Sequence, residues 1–173
     1  MIRSKSPAAP VLAAAGLALM LAGCGATQPA GRTTSPLYAS LAQPGARLDP
    51  QLAASLINDY RRGLGLAPVR LDPALMRAAE ARVAAVAGAS SLALPGEKDV
   101  VKRLAAAGIG ATRARENVSA GYYSMSDAFS GWRGSPPNDA TLRLAEARRM
   151  GLATRHAPGS KYAVYWVLIM AGP

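Results

Sequence analysis

The segment KYAVYWVLIMAG at residues 161–172 restricts the fold more than any other stretch of the chain. Side chains of a β-strand alternate between its two faces, so a half-exposed strand is apolar at every second position only. Here both alternating sets are apolar; they contain Tyr162, Val164, Trp166, Leu168 and Met170 on one face, and Ala163, Tyr165, Val167 and Ile169 on the other. Such a strand must be covered on both sides, which predicts a sheet between two layers of helices.

Two other segments are expected to join this strand. RRMGLATRH at residues 148–156 has strand character, and APGS at residues 157–160 is typical of a hairpin turn. RENVSAG at residues 115–121 is short and extended in character. Together these segments predict a central antiparallel sheet.

Helix start signals precede the strands. Asp49-Pro50 and Asp72-Pro73 each place a capping carboxylate before a proline that suits the first helical position. The first pair leads into an apolar face formed by Leu52, Leu56, Ile57 and Tyr60, before Gly63 and Gly65 end the helix. The second pair leads into a stripe that ends near Gly88 and contains Leu75, Met76, Ala79, Val83 and Val86. A third helix is predicted over residues 98–107.

The region around residues 126–144 predicts two short helical segments. Ser126 is expected to cap a helix that carries Phe129 and Trp132 inward, and Pro136-Pro137 is expected to end it. A further turn or two, capped by Asn138 or Asp139, is expected after the prolines. The predicted fold class is therefore α+β, a three-layer α-β-α sandwich with a central antiparallel sheet, over residues 49–173.

The N-terminus indicates a bacterial lipoprotein. Arg3 and Lys5 precede an uncharged apolar run at residues 11–22, which is too short to span the roughly 30 Å bilayer core comfortably. Leu21-Ala22-Gly23-Cys24 follows, and Cys24 is the single cysteine of the chain. We expect a signal peptide at residues 1–23, lipidation such as palmitate at Cys24, and a flexible tether over residues 24–48. Tyr38 and Leu41 of the tether could pack on the domain, but the simpler expectation is that they do not. Gly25 after the cysteine favours the outer membrane, facing the periplasm.

The charge of the chain bears on its partners. The full sequence has 20 Lys and Arg against 10 Asp and Glu, a net charge of +10, and removal of Arg3 and Lys5 with the signal leaves about +8. This balance suits an anionic envelope polymer, a lipid or an envelope protein. The basic residues are scattered along the chain, however, which favours a merely solvated surface. Nucleic acid is not an expected partner outside the cytoplasm.

Five segments occur in the order and at about the spacing of one known family. They are LINDYRRGLGLAPVRLDPALMRAAEARVAAVA at residues 56–87, ENVSAG at 116–121, WRGSPP at 132–137, MGLAT at 150–154 and YWVLIMAG at 165–172. In these segments the chain resembles bacterial members of the CAP superfamily, named for cysteine-rich secretory proteins, antigen 5 and pathogenesis-related 1 proteins. The resemblance implies an α-β-α sandwich.

The same resemblance implies a cavity lined by two histidines and two acidic residues, which binds a divalent metal in some members. One acidic residue corresponds to Glu116 of the Glu116-Asn117 pair, whereas the position that often holds a histidine after the Ser-Pro turn is Asn138. The stretch GASSLALPG, where the other histidine is expected, has none. A carboxamide is a weak metal ligand, so we predict no metal and no cofactor. The ligand-pocket candidates are Glu116, Asn117, Trp132, Ser135 and Asn138.

Three functions stay open from the sequence. The first is a non-catalytic envelope lipoprotein that binds a small apolar ligand, a wall polymer or a protein partner. The second is a hydrolase in which Glu116 acts as general base toward a water positioned by Asn138, with Asp127 or Asp139 as a second carboxylate. The third is a purely structural spacer. In a structural role, Glu116 would accept backbone hydrogen bonds or pair with Arg113 or Arg115. The single histidine, His156, is expected to be an exposed turn residue.

Overall fold

The strand formed by the last apolar segment lies inside a four-stranded sheet. The computed structural model describes residues 35–94, 96 and 98–173, all of which belong to one compact unit. A short 3-10 helix at Pro36–Tyr38 comes first. The other elements are, in chain order, α1 (Pro50–Gly63), β1 (Arg70–Leu71), α2 (Pro73–Gly88), α3 (Val100–Ala106), β2 (Ala114–Ala120), α4 (Met125–Arg133), α5 (Pro136–Leu142), β3 (Arg149–Ala157) and β4 (Ala163–Ala171).

The strand order is β1-β3-β4-β2, so β4 is an inner strand and β2 is an edge strand. β4 pairs antiparallel with both neighbours, and Ile169 stands between Gly151 of β3 and Glu116 of β2. The predicted hairpin and extended segment are therefore confirmed. The sheet is nevertheless mixed, because β1 pairs parallel with β3. β1 has only two residues, too few for an alternating pattern to reveal it in the sequence.

Helices cover the sheet on both faces. α2 and α3 bury Leu75, Val83 and Leu104 against the face of β4 that carries Tyr165 and Val167. α1, α4 and α5 cover the opposite face, where Trp132 packs edge-on against Trp166 with ring centroids 6.0 Å apart. The two apolar faces of β4 thus meet two separate helical layers, which confirms the α+β fold and the three-layer arrangement.

Both Asp-Pro helix starts are present. Asp49 accepts backbone hydrogen bonds from Gln51 and Leu52, at 2.9 and 3.1 Å. Asp72 does the same for Ala74 and Leu75, at 2.9 and 3.1 Å. Burial raises the pKa of the Asp72 carboxyl, but the two N–H groups and the Arg149 guanidinium together lower it by more. The pKa of Asp72 therefore lies below its usual value.

Two helix boundaries differ from the sequence prediction. Ser124, not Ser126, caps α4, because its hydroxyl accepts the backbone N–H of Asp127 at 3.2 Å. Pro136 and Pro137 start α5 instead of only ending α4, and Ser135 is its N-cap residue, without a side-chain capping bond. Prolines suit the first turn of a helix because its N–H groups have no partner inside the helix. Asn138 and Asp139 therefore lie inside α5.

The region before α1 contributes to the core. Leu41 is buried and its backbone N–H donates to the Tyr123 carbonyl, contrary to the expectation that it does not pack. Tyr38 is exposed, as expected. Cys24 and the predicted signal peptide lie outside the described residues. Of the helices in the described part of the chain, none combines the length and apolar character that a membrane span requires.

Candidate functional site

An open cavity of about 870 Å³ lies along the free edge of β2, and we call it the edge groove. Consecutive residues of β2 and the segment before it line it, although their side chains alternate between the two faces of the sheet. A cavity that touches both sets must lie at the strand edge. One wall comes from the start of α3 and the other from α5 and the segment after it. The lining comprises residues 98–101, 112–116, 137, 141, 144 and 146.

Among the residues that the structure describes, none pairs with the backbone of β2 on this side. Gly121 N–H donates to the Val164 carbonyl, and Gly172 N–H donates to the Arg113 carbonyl, so odd-numbered residues of this segment point their peptide groups at β4. Peptide groups alternate in direction along an antiparallel strand. Residues 114, 116 and 118 therefore direct their N–H and C=O groups toward the free edge of β2, where residues 114 and 116 line the edge groove.

Glu116 lies beside two arginines. Arg103 Nη2 donates to Glu116 Oε1 at 2.7 Å, and Arg82 Nε lies 3.4 Å from Oε2 as an ion-pair contact without hydrogen-bond geometry. The Glu116 side chain is only 7% exposed. Each carboxylate oxygen thus faces a guanidinium group, and the carboxylate ties α2 and α3 to the edge strand. The partners are not Arg113 or Arg115, the two arginines considered from the sequence.

Strand alternation explains this choice of partners. Ala114, Glu116 and Val118 face the layer of α2 and α3, whereas Arg115 and its alternate neighbours face α4 and α5. Arg115 therefore cannot reach the Glu116 carboxylate across the sheet. The sequence did carry a signal for Arg82, because it follows Leu75 and Ala79 on the inward stripe of α2, at a position where an exposed arginine is not expected.

Asn117 points to the other layer. Its Nδ2 donates to the backbone carbonyl of Asn138 at 3.0 Å, which fixes the first turn of α5 against β2. Asn117 is 1% exposed, and its Oδ1 has no hydrogen-bond partner among the residues described. Asn117 and Asn138 are thus brought together, but on the opposite face of the sheet from the Glu116 carboxylate.

Trp132 is a core residue. It is fully buried, and its Nε1–H donates to the Ser119 hydroxyl at 2.9 Å, which satisfies the polar atom that an indole brings into a core. Ser135 is half-buried at the start of α5. Of the five pocket candidates, Glu116 lines the edge groove, whereas Asn117, Trp132, Ser135 and Asn138 do not line it.

The donor set does not fit the divalent metal that the family resemblance implies. A zinc ion needs neutral imidazole, thiolate or carboxylate ligands, and two guanidinium groups occupy the space beside Glu116. In the part of the chain that the structure describes, no three His, Cys, Asp or Glu side chains come together. The site next to Glu116 therefore suits anions better than cations.

His156 lies far from this region. It belongs to β3 and pairs with Val164 of β4, whereas Glu116 pairs with Ile169 on the other side of β4. Five residues of strand separate the two registers, about 16 Å along the strand. His156 is half-buried within the strand and is not the exposed turn residue expected from the sequence.

Several groove residues are not predictable from local sequence motifs. Lys98 and Asp99 come from the segment before α3, Thr141 from α5, and Glu146 from the segment before β3. Only the packing of the helical layers over the sheet edge brings them to one cavity. Their mixture of charged, polar and apolar groups is typical of a surface that contacts a polar ligand.

Comparisons with known proteins agree with this geometry. The model of the "CAP: Cysteine-rich secretory protein family" matches residues 54–170. An outer surface protein from Borrelia burgdorferi is similar in structure, with a TM-score of 0.63 and 17% identity, over 75% of this chain and 99% of that one. No curated protein sequence matches the chain significantly.

Two longer proteins contain a similar domain. A cysteine-rich secretory protein from Staphylococcus aureus matches with a TM-score of 0.60 and 15% identity, over 74% of this chain and 40% of that one. An extracellular protein with an SCP domain from Bacillus anthracis matches with a TM-score of 0.57 and 16% identity, over 74% and 45%. The chain thus spans less than half of these two proteins, and the likeness shows a shared fold. Because the family model covers more than half of the chain, the protein belongs to the cysteine-rich secretory protein family.

Proposed function

We propose that this CAP domain is a non-catalytic binding module of a lipid-anchored envelope protein, and that an anionic wall polymer occupies its edge groove. The contacts of Glu116 are the observation that supports this proposal. A general base needs a carboxylate that can take a proton from water. Both oxygens of Glu116 instead face guanidinium groups, and the side chain is almost fully buried. Glu116, which the resemblance places in the cavity, thus connects β2 with α2 and α3.

The hydrolase hypothesis receives little support from the other candidate groups. Asn138 lies on α5, across the sheet from the Glu116 carboxylate, and so does not position a water for it. Asp127 accepts the Ser124 hydroxyl at 2.7 Å, and Asp139 accepts the Tyr60 hydroxyl at 2.6 Å. Neither aspartate lines the edge groove.

The lining of the edge groove favours a charged polymer over a small apolar ligand. Lys98, Arg113 and Arg115 supply cations against the carboxylates of Asp99 and Glu146, since Glu116 is already paired with Arg82 and Arg103. Residues 114 and 116 supply peptide groups for hydrogen bonds. The groove is open along the strand edge, so a chain longer than the groove can enter and leave it. A wall polymer with hydroxyl and anionic groups matches this surface.

The unpaired edge of β2 favours a second candidate, an extended segment of an envelope protein that adds a strand to the sheet. Strand addition obtains its affinity from main-chain hydrogen bonds at an exposed edge. β2 extends over Ala114–Ala120, and residues 114–116 of it line the edge groove. The two candidates place their ligand in the same groove and differ in the chemistry of that ligand.

A co-sedimentation experiment with isolated peptidoglycan sacculi tests the proposal. The full-length chain is compared with Thr112→Trp, which places a large side chain in the edge groove, and with Ala81→Trp, which places the same side chain on the exposed outer face of α2. We expect the wild type and Ala81→Trp to sediment with sacculi equally, and Thr112→Trp to lose at least about fivefold in affinity, roughly 1 kcal/mol.

A hydrolysis assay on the same sacculi separates binding from catalysis. We expect no release of soluble fragments from the wild type and no stoichiometric zinc or cobalt in the purified protein. Fragment release that Glu116→Gln abolishes would establish the hydrolase instead. If sacculi do not bind but a cross-linked protein partner is lost in Thr112→Trp alone, the strand-addition candidate replaces the wall polymer.

A further inference from the structure

A second cavity, of about 630 Å³, adjoins the edge groove on the side of α4 and α5. It shares Arg115 and Leu144 with the groove, so the two cavities form a continuous surface. We call it the arginine cavity. Its lining consists of Arg115, Arg133, Gly134, Pro136, Asp139, Ala140, Arg143, Leu144 and Ala145.

Positive charge dominates the arginine cavity. Arg115, Arg133 and Arg143 line it, together with one carboxylate, Asp139. Both oxygens of that carboxylate already have partners: the Tyr60 hydroxyl donates to Oδ1 at 2.6 Å, and Arg143 Nη1 lies 3.4 Å from Oδ2. Asp139 therefore neutralises at most one of the three positive charges, that of Arg143. Among the residues described, no carboxylate lies within ion-pair distance of Arg115 or Arg133.

Aromatic rings hold one of these cations in place. The guanidinium carbon of Arg133 lies 5.2 Å from the centre of the Tyr60 ring and 5.6 Å from that of Phe129. The two rings meet edge to face, with centroids 5.7 Å apart, and the bond to Asp139 fixes the Tyr60 hydroxyl. Stacking uses the face of the guanidinium and leaves its in-plane N–H donors available. Arg133 is thus oriented before any ligand arrives.

We propose that the arginine cavity binds a phosphate group of the ligand, held by Arg115, Arg133 and Arg143. The planar guanidinium fork matches the geometry of phosphate oxygens and forms strong charge-assisted hydrogen bonds with them. The cavity is larger than a phosphate ion, so the phosphate belongs to a larger molecule, such as a phosphodiester polymer or a phospholipid headgroup.

This inference rests on the proposed function, because Arg115 joins the arginine cavity to the edge groove. It specifies the ligand as a phosphate-bearing molecule. The site requires no catalysis and no metal, and its three arginines come from three elements or their ends, β2, α4 and α5. Small phosphate probes do not fill the edge groove, so they test the arginine cavity alone. Failure of these probes to bind is therefore distinguishable from failure of the wall polymer to bind.

Binding of two probes to the full-length chain tests the site. One probe is glycerol phosphate, followed by titration calorimetry at low salt, and the other is vesicles of phosphatidylglycerol mixed with a neutral phospholipid. The test variants are Arg115→Gln alone and the Arg133→Gln, Arg143→Gln pair. Arg77→Gln is the matched control, because it removes one charge from the exposed face of α2.

We expect the double variant to weaken binding at least about tenfold, and Arg115→Gln several-fold, because each lost arginine removes charge-assisted hydrogen bonds to the phosphate. Arg77→Gln should change affinity less than about twofold, as expected for a distant exposed charge. Arg115 has no ion pair to lose among the described residues, so its variant tests the site without unfolding the domain.

The outcome identifies the source of the phosphate. If glycerol phosphate binds and the arginine variants lose this binding, the ligand is a soluble phosphate ester. If only the vesicles bind and the arginine variants lose that binding, the ligand is a lipid headgroup. If neither probe binds, or if Arg77→Gln weakens binding as much as Arg115→Gln, the proposed site is overturned.

Discussion

Arg61 shows how a buried cation can be stabilised without a carboxylate. Its side chain is fully buried at the end of α1, and its guanidinium donates to the carbonyls of Leu142, Leu144 and Ala147, at 2.7, 3.0 and 3.4 Å. These carbonyls lie at the end of α5 and beyond it, where a helix leaves acceptors without partners and carries partial negative charge. Burial, with repulsion from Arg148, lowers the pKa of Arg61.

Replacement of Arg61 tests this role. We expect Arg61→Ala to reduce the free energy of unfolding by about 3 kcal/mol or more, because several buried carbonyls lose their donor at once. Arg62→Ala is the control, since Arg62 is exposed and, among the described residues, its side chain pairs with Asp59 alone. This variant should change stability by less than about 0.5 kcal/mol. Urea unfolding followed by circular dichroism measures both, and equal losses in the two variants would contradict the assignment.

At the scale of elements, the contact between α2 and β3 is exceptionally close. A Cβ atom at Gly151 of β3 would lie 2.2 Å from the backbone carbonyl of Leu75 and 2.7 Å from the Met76 nitrogen. Backbone cannot move aside as a flexible side chain can, so the helix would have to shift. The approach of α2 also places Arg82 beside Glu116, so the position of this helix affects the candidate site.

Gly151→Ala should therefore destabilise the fold strongly. We expect a loss of more than about 3 kcal/mol in the free energy of unfolding, because the added methyl group displaces the whole of α2. Gly88→Ala at the other end of α2 meets nothing within 4 Å and should change stability by no more than about 1 kcal/mol. Thermal unfolding compares the two variants. A Gly151→Ala protein as stable as Gly88→Ala would show that α2 can move without cost.

At the scale of the whole molecule, the proposed function combines the domain, its charge and the predicted anchor. A lipid at Cys24 would keep the basic domain near a membrane surface and within reach of wall polymers. The net charge of about +8 that remains after removal of the signal would then increase its local attraction to anionic groups. The arginine cavity gives that general attraction a specific place on the domain.

Labelling with a palmitate analogue tests the anchor. We expect the wild type to be labelled and to fractionate with the outer membrane, whereas Cys24→Ala should be unlabelled, because the chain has no other cysteine. Gly25→Asp is the matched control: it should keep the label and move to the inner membrane. Label that persists in Cys24→Ala would contradict lipidation at this residue.

Features that depend on residues close together in the chain are predictable from the sequence, whereas contacts between distant residues are not. The helix starts at Asp49 and Asp72 were predictable because a cap and the first turn are neighbours in the chain. The start of α4 was misplaced by two residues, from Ser124 to Ser126, because both serines precede the same apolar positions. Glu116 was found through a resemblance of motifs, whereas Arg103 was not connected to it, since an ion pair between different elements leaves no periodic pattern.

The sequence by itself determined the inner position of β4, because apolar residues on both faces of a strand must be covered on both sides. It also determined the family, through segments that keep their order along the chain. Only the tertiary structure decided that Glu116 meets Arg82 and Arg103, and that Arg115, Arg133 and Arg143 surround one cavity. Hydrophobic burial follows local periodicity, whereas the neighbours of a charge depend on which helix packs over which strand.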